Sequence, residues 1–183
     1  MKKALLNIDY THDFVAADGA LTCGEPGQVL HDYILKLTQD FVQEGKFVAF
    51  MIDLHDENDP FHPETKLFPP HNLKDSPGRK LYGDLEAYYQ EVKDLKHVLY
   101  RDKTRYSAFA GTDLAIKLRE REITEIHLVC VCTDICILHT AVDAYNQGFE
   151  IVVHEQGVAS FNQKGHEWAL EHFTNCLGAT VIN

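Results

Sequence analysis

The sequence has no apolar run approaching the roughly 20 residues needed to cross a bilayer, and its N-terminus, MKKALLNIDY, reaches Asp9 after only a short apolar stretch. A secretory signal needs a longer apolar region and a small-residue cleavage site, so export is not expected. Positive charge is scarce: 17 Lys+Arg stand against 28 Asp+Glu, a net charge of −11 at pH 7. That balance argues against a general nucleic-acid backbone binder and against docking on an anionic membrane. No Gly-x-Gly-x-x-Gly follows the first apolar run, where Asp9-Tyr10-Thr11-His12 stands, and no Gly-x4-Gly-Lys-Ser/Thr occurs. Dinucleotide and nucleoside-triphosphate sites are therefore unsupported. The five cysteines (Cys23, Cys130, Cys132, Cys136, Cys176) are an odd number with no small secreted framework around them. A reducing, cytoplasmic setting is the natural expectation. Internal repeats, low-complexity tracts and long linkers are also missing.

What is present suits one domain over residues 1–183. Hydrophobic residues make up 45% of the chain and charged residues 25%, ordinary values for a packed globular protein. Short apolar runs at 4–8, 47–52, 98–100, 126–131, 150–153 and 179–182 are mostly continuous rather than alternating, as in parallel strands buried on both faces. Amphipathic stretches lie between them. In 27–44, Leu30, Tyr33, Ile34, Leu37 and Phe41 make an apolar stripe with Gly45 at the C-terminal cap position. Further helices are expected from Thr112 or Asp113 through Leu118, over 133–147 and over 165–177. This alternation predicts an α/β fold: a three-layer, doubly wound sheet of about six mostly parallel strands with helices on both faces. The exception is 54–83, which holds every proline except Pro26. A long excursion without regular structure inside a compact domain is usually functional, and this one reads as a site-building loop.

In open α/β sheets, ligands bind at the carboxyl ends of the strands. Asp9 follows the first apolar run, Asp53-Leu54-His55 the second, Arg101-Asp102-Lys103 the third, and Cys132-Thr133-Asp134-Ile135-Cys136 the fourth. Cys136 falls in the first turn of an expected helix, where the dipole favours a thiolate and unpaired N–H groups can receive an oxyanion. Cys130 and Cys132 read as mainly structural. Asp9 and Lys103 are either a buried ion pair joining two loops or the base and cation of an activated thiol. Asp53-x-His55 puts two donors on one face of an extended segment. With His62, Glu64 and His71 further along, the set suits a divalent transition ion such as zinc, manganese or iron; Glu64 and His62 compete for the additional ligand position.

The chain resembles the nicotinamidases (pyrazinamidase-like) of the isochorismatase-like cysteine hydrolase superfamily, nearly end to end. The stretches that carry the resemblance are Asn7-Ile8-Asp9 with Asp13-Phe14, Asp53-Leu54-His55 with Phe68-Pro69-Pro70-His71, 103–109 (KTRYSAF) and 131–136 (VCTDIC). The resemblance implies a catalytic trio of Asp9, Lys103 and Cys136. It implies metal ligation by Asp53, His55 and His71, with Glu64 added in some relatives, and zinc as the foremost ion. It also implies a cis peptide between Val131 and Cys132, an oxyanion hole from the backbone N–H groups of Cys132 and Cys136, and a ring sandwich from Phe14, Phe68 and Tyr106. The activity it implies is deamidation of nicotinamide to nicotinic acid and ammonia through a cysteine thioester, feeding NAD salvage. The alternatives are another amidohydrolase of this superfamily, acting on an N-carbamoyl or acyclic amide, and a non-catalytic metal- or ligand-binding module on the same scaffold. The apolar content permits a monomer or a small homo-oligomer.

Overall fold

In the computed structural model, which describes residues 2–183, the apolar runs pair side by side into one parallel sheet. Its strands are β1 (Lys2–Ile8), β2 (Phe47–Asp53), β3 (Val98–Lys103), β4 (Ile123–Val131), β5 (Glu150–Ala159) and β6 (Thr180–Ile182), in the spatial order β3-β2-β1-β4-β5-β6. Successive side chains of a strand face opposite sides, and each side is buried. Ala4, Leu6 and Ile8 of β1 join Phe47, Ala49 and Met51 of β2 in one apolar layer. Leu5 joins Val48, Phe50 and Ile52 in the other. Burial on both faces is why these strands read as continuous apolar runs.

The helices α1 (His12–Val15), α2 (Glu25–Gln28), α3 (His31–Gln43) and α4 (Asp84–Val92) lie on the second layer. On the first lie α5 (Leu114–Arg119), α6 (Leu138–Asn146) and α7 (Gln163–Leu177). A single π-turn, Thr133–Ile137, leads into α6. No helix among the described residues is long and apolar enough to cross a membrane.

Several element boundaries differ from expectation. The stripe expected as one helix over 27–44 is two, because Pro26 opens a separate short turn before α3 begins at His31. β3 runs on through Arg101-Asp102-Lys103, and β5 continues to Ala159 through the polar His154-Glu155-Gln156. Both extensions are held by ladder pairing rather than by apolar character, Lys103 opposite Asp53 and Ala159 opposite Val131. α4 was not expected at all. The excursion over 54–83 is also more ordered than its composition suggests. It holds two 3-10 turns, Pro63–Lys66 and Pro77–Arg79, and is tied back by bridges from His55 to Leu73 and from Thr11 to Leu81.

The chain builds outward from β1 to β3, then crosses back to place β4 on the other flank of β1. That reversal opens a crevice beyond the carboxyl ends of β1 and β4, where such folds bind ligands.

Candidate active site

Strand register brings the residues at the strand ends together. Ile8 of β1 lies opposite Met51 of β2 and Cys130 of β4, while Asp53 ends β2 opposite Lys103, the last residue of β3. Asp9, one step beyond β1, takes a left-handed φ of 62°. Its Oδ1 accepts the Asp53 backbone N–H at 2.8 Å and its Oδ2 lies 2.7 Å from Lys103 Nζ. Lys103 Nζ also donates to the Arg105 carbonyl at 3.1 Å and lies 3.8 Å from Cys136 Sγ. The side chains of Asp9 and Lys103 are almost wholly buried, and Cys136 is 7% exposed. The trio expected from strand ends is thus one contact group inside the protein.

Burial and charge act on this group in opposition. Burial raises the Asp9 carboxyl to about 6 against the opposing pull of the Lys103 ammonium. Burial works against charge on Lys103 too, but Asp9, Cys136 and Asp53 outweigh it and hold the ammonium above its ordinary range. For Cys136, burial and the Asp9 carboxylate push the thiol well above its usual value, and Lys103 only partly offsets them. Burial and the Asp9 carboxylate thus act against the thiolate that a helix first turn favours.

Beyond Asp53 lies a second polar group. Asp53, His55, Glu64 and His71 are all buried, and they offer four ligand atoms within 4.8 Å of one another. The Nδ1–H of His71 donates to the Pro69 carbonyl at 2.8 Å, which leaves the Nε2 lone pair free. That Nε2 faces Asp53 Oδ2 and Glu64 Oε2, each 3.6 Å away and too far for a hydrogen bond. Among the described residues, His71 Nε2 and Asp53 Oδ1 have no hydrogen-bond partner although buried. Two carboxylates and two imidazoles converging with unsatisfied donor atoms fit a divalent metal ion. Of the two residues that compete in the sequence, Glu64 and not His62 stands in this cluster. His62 donates from Nε2 to the Thr104 carbonyl at 2.7 Å and accepts the Glu64 N–H on Nδ1 at 3.2 Å, so neither ring nitrogen is free. Glu64 belongs to the ligand cluster; His62 braces it, with its ring 4.2 Å from that of His55.

One cavity is lined by Cys136 of the first group and by Asp53 and Glu64 of the second. Phe14, Phe68 and Tyr106 line it, as the resemblance implied, and the rings of Phe14 and Phe68 lie 5.2 and 6.2 Å from that of His71. The Val131–Cys132 peptide is cis. Leu21, Ile135 and Phe161 also line the cavity and had not been singled out. Ile135 lies inside the 131–136 stretch, where its neighbours drew the attention. Leu21 and Phe161 come from loops whose sequence carries no sign of a wall. Cys132 borders the cavity but packs with the α3 layer, whereas Cys136 packs with the α6 layer.

The isochorismatase domain family matches residues 3–183. The structure is similar to that of nicotinamidase/pyrazinamidase PncA from Bacillus subtilis, with a TM-score of 0.99, 61% identity and full coverage of both chains. It is similar to pyrazinamidase/nicotinamidase from Streptococcus mutans UA159 at a TM-score of 0.97 and 54% identity, covering 99% of this chain and 100% of that one. Pyrazinamidase from Pyrococcus horikoshii, solved in complex with zinc, is similar at a TM-score of 0.87 and 26% identity, covering 100% of this chain and 99% of that one. With its sheet order, its strand-end groups and a family match across nearly its whole length, the chain belongs to the isochorismatase family.

Proposed function

We propose that this protein hydrolyses nicotinamide to nicotinic acid and ammonia, feeding NAD salvage, with Asp9, Lys103 and Cys136 as catalytic residues. The observation that carries the reading is one cavity lined both by Cys136 of a buried acid–amine–thiol group and by Asp53 and Glu64 of a cluster that could hold a metal ion. Similarity above 50% identity to proteins named nicotinamidase supports the choice of substrate.

The chemistry follows from the contacts. Asp9 takes the Cys136 thiol proton, and the sulfur attacks the amide carbon, forming a C–S bond while the carbonyl electron pair moves to oxygen. The backbone N–H groups of Cys132 and Cys136 receive that oxyanion; a single such donor is worth about 2.7–4 kcal/mol in comparable sites. Asp9 returns its proton to the leaving nitrogen, the C–N bond breaks, and ammonia departs from a thioester. A water deprotonated by Asp9 then attacks the thioester, nicotinic acid leaves, and the Asp9 proton goes back to sulfur. Lys103 stays charged throughout, orienting Asp9 and lying beside the sulfur as negative charge develops. Phe14, Phe68 and Tyr106 hold the flat ring in the cavity.

Asp53, His55, Glu64 and His71 would hold one divalent ion, zinc foremost. Its contribution when bound is Lewis-acid coordination of the ring nitrogen, which fixes the amide in front of Cys136. A cytoplasmic setting fits the five cysteines, which are all free.

The reading is tested by a panel of amides assayed for ammonia with purified enzyme of known metal content. Nicotinamide is expected to outrun N-carbamoyl and acyclic amides by at least two orders of magnitude in kcat/KM. Preference for an N-carbamoyl substrate would assign the chain to a different amidohydrolase activity on the same fold, and no turnover of any amide would favour a binding module.

A further inference from the structure

The segments that leave β4 and β5 stay in contact after the sheet ends. Val131 pairs with Ala159, and Thr133 and Asp134 of the first segment are each tied to 162–166 of the second. The Thr133 hydroxyl lies 2.8 Å from His166 Nδ1. Asp134 directs its carboxylate into the first turn of α7, with Oδ2 3.5 Å from the Asn162 amide nitrogen. Gly165 makes room for it, since a Cβ there would stand 2.0 Å from that oxygen. Asp134 Oδ1 is buried with no hydrogen-bond partner among the described residues. It faces the start of α7, a helix of 15 residues whose N-cap is Asn162. Turned toward α7, the carboxylate is also kept out of the cleft where a substrate oxygen would turn negative two residues away.

We propose that Asp134 and His166 are positioning residues for the hydrolysis. The two-point clasp between Thr133-Asp134 and the start of α7 sets the Cys132 and Cys136 N–H groups against the developing oxyanion. This assignment rests on the functional reading above and adds to it: the oxyanion hole takes its alignment from a helix about 30 residues further along the chain, not from β4 alone.

Gly165→Ala is the sharpest test, because alanine is the better helix former while its Cβ displaces the Asp134 carboxylate. In this variant kcat for nicotinamide falls about 10–100-fold, as for a displaced oxyanion donor, with KM nearly unchanged. Alkylation of Cys136 by iodoacetamide keeps its rate, since displacement at a saturated carbon forms no oxyanion. Pyridine-3-carbaldehyde, which adds the Cys136 sulfur to its carbonyl carbon and leaves oxygen in the same place, binds more weakly by a similar factor. In an Asp134→Ser background, Gly165→Ala has no further effect. His166→Ala shows the same split between turnover and alkylation, and His166→Asn, which keeps a polar atom near the Nδ1 position, restores turnover; this pair also reads the proposal if Gly165→Ala does not fold. The clasp is overturned if Gly165→Ala turns over like wild type, if alkylation falls in step with kcat, or if the Gly165→Ala loss persists without Asp134. A wild-type enzyme that releases no ammonia overturns the functional reading and the clasp's role with it, whereas an active wild type with any of those three results overturns the clasp alone.

Discussion

His62 and Glu64 show how much two hydrogen bonds decide at the scale of the residue. Both are buried within the same excursion, and both are chemically able to bind a metal. The Thr104 carbonyl, far along the chain, takes the His62 Nε2–H and the Glu64 N–H occupies its Nδ1, while Glu64 stands in the four-residue cluster. That choice was invisible in the sequence, because it depends on where the loop after β3 runs. Titrating the metal-free protein with zinc against a competing chelator distinguishes the two side chains. Glu64→Gln weakens affinity by about tenfold or more, while His62→Gln, which keeps an acceptor for the Glu64 N–H, weakens it less and leaves one ion per chain. The opposite ranking would remove Glu64 from the site. By contrast, Asp9, Lys103, Asp53 and Cys136 were legible beforehand, since each follows an apolar run whose end the fold class places at the ligand crevice. The burial of Cys136 was not legible: the sequence shows a helix terminus but not the desolvation that raises the thiol.

Among the elements, legibility tracked apolar continuity. The central strands announced themselves because both faces are covered, whereas the polar ends of β3 and β5 depend on ladder pairing that no local pattern records. α4 was not expected although Leu85, Tyr88, Tyr89 and Val92 stand at i, i+3, i+4 and i+7, the spacing of a buried helix face, because it follows directly on the turn-rich stretch over 54–83 and shares its reading as loop. Leu85 nonetheless sits wholly inside the α3 layer. Leu85→Ala is expected to cost about 2–5 kcal/mol in stability, the range for a deleted core leucine, read from urea unfolding midpoints at unchanged m. A loss under 1 kcal/mol would mean that α4 is only loosely attached. In the excursion over 54–83 the sequence showed turn chemistry but not the bridges to Leu73 and Leu81 that hold it over the cavity.

Across the whole molecule, the topology that gathers the cavity also buries a polar chain on the α3 side of the sheet. The Tyr33 hydroxyl meets His154 Nδ1 at 2.8 Å, His154 Nε2 meets His127 Nδ1 at 2.7 Å, and His127 Nε2 meets Glu125 at 2.7 Å. Lys3 pairs with the same carboxylate at 2.8 Å, and the Phe41 ring lies 5.1 Å from His127. Burial, then His127 beside it, lowers His154 to about 4; burial lowers His127 as well, against Glu125. The unfolded chain therefore binds protons at these histidines below about pH 6.5, while the folded protein leaves His154 neutral down to about pH 4. The contribution of these histidines to stability is therefore fully present above pH 6.5 and is lost as pH drops through that window, opposite in sign to that of Asp9, whose raised carboxyl takes up a proton in the folded protein below about pH 6. Urea unfolding of the wild type and His154→Gln from pH 7 to pH 4.5 should differ in slope by up to one proton, the wild type losing more stability as pH falls; identical slopes would mean that His154 does not contribute.

Ammonia release from nicotinamide, measured side by side for the wild type and Cys136→Ala, tests the central claim most directly. The account predicts multiple turnovers by the wild type and none above background in the variant, with both proteins folded and carrying the same metal. Turnover by Cys136→Ala would contradict it, because the account places the thioester on the Cys136 sulfur. A metal-loaded wild type that releases no ammonia would contradict it as well.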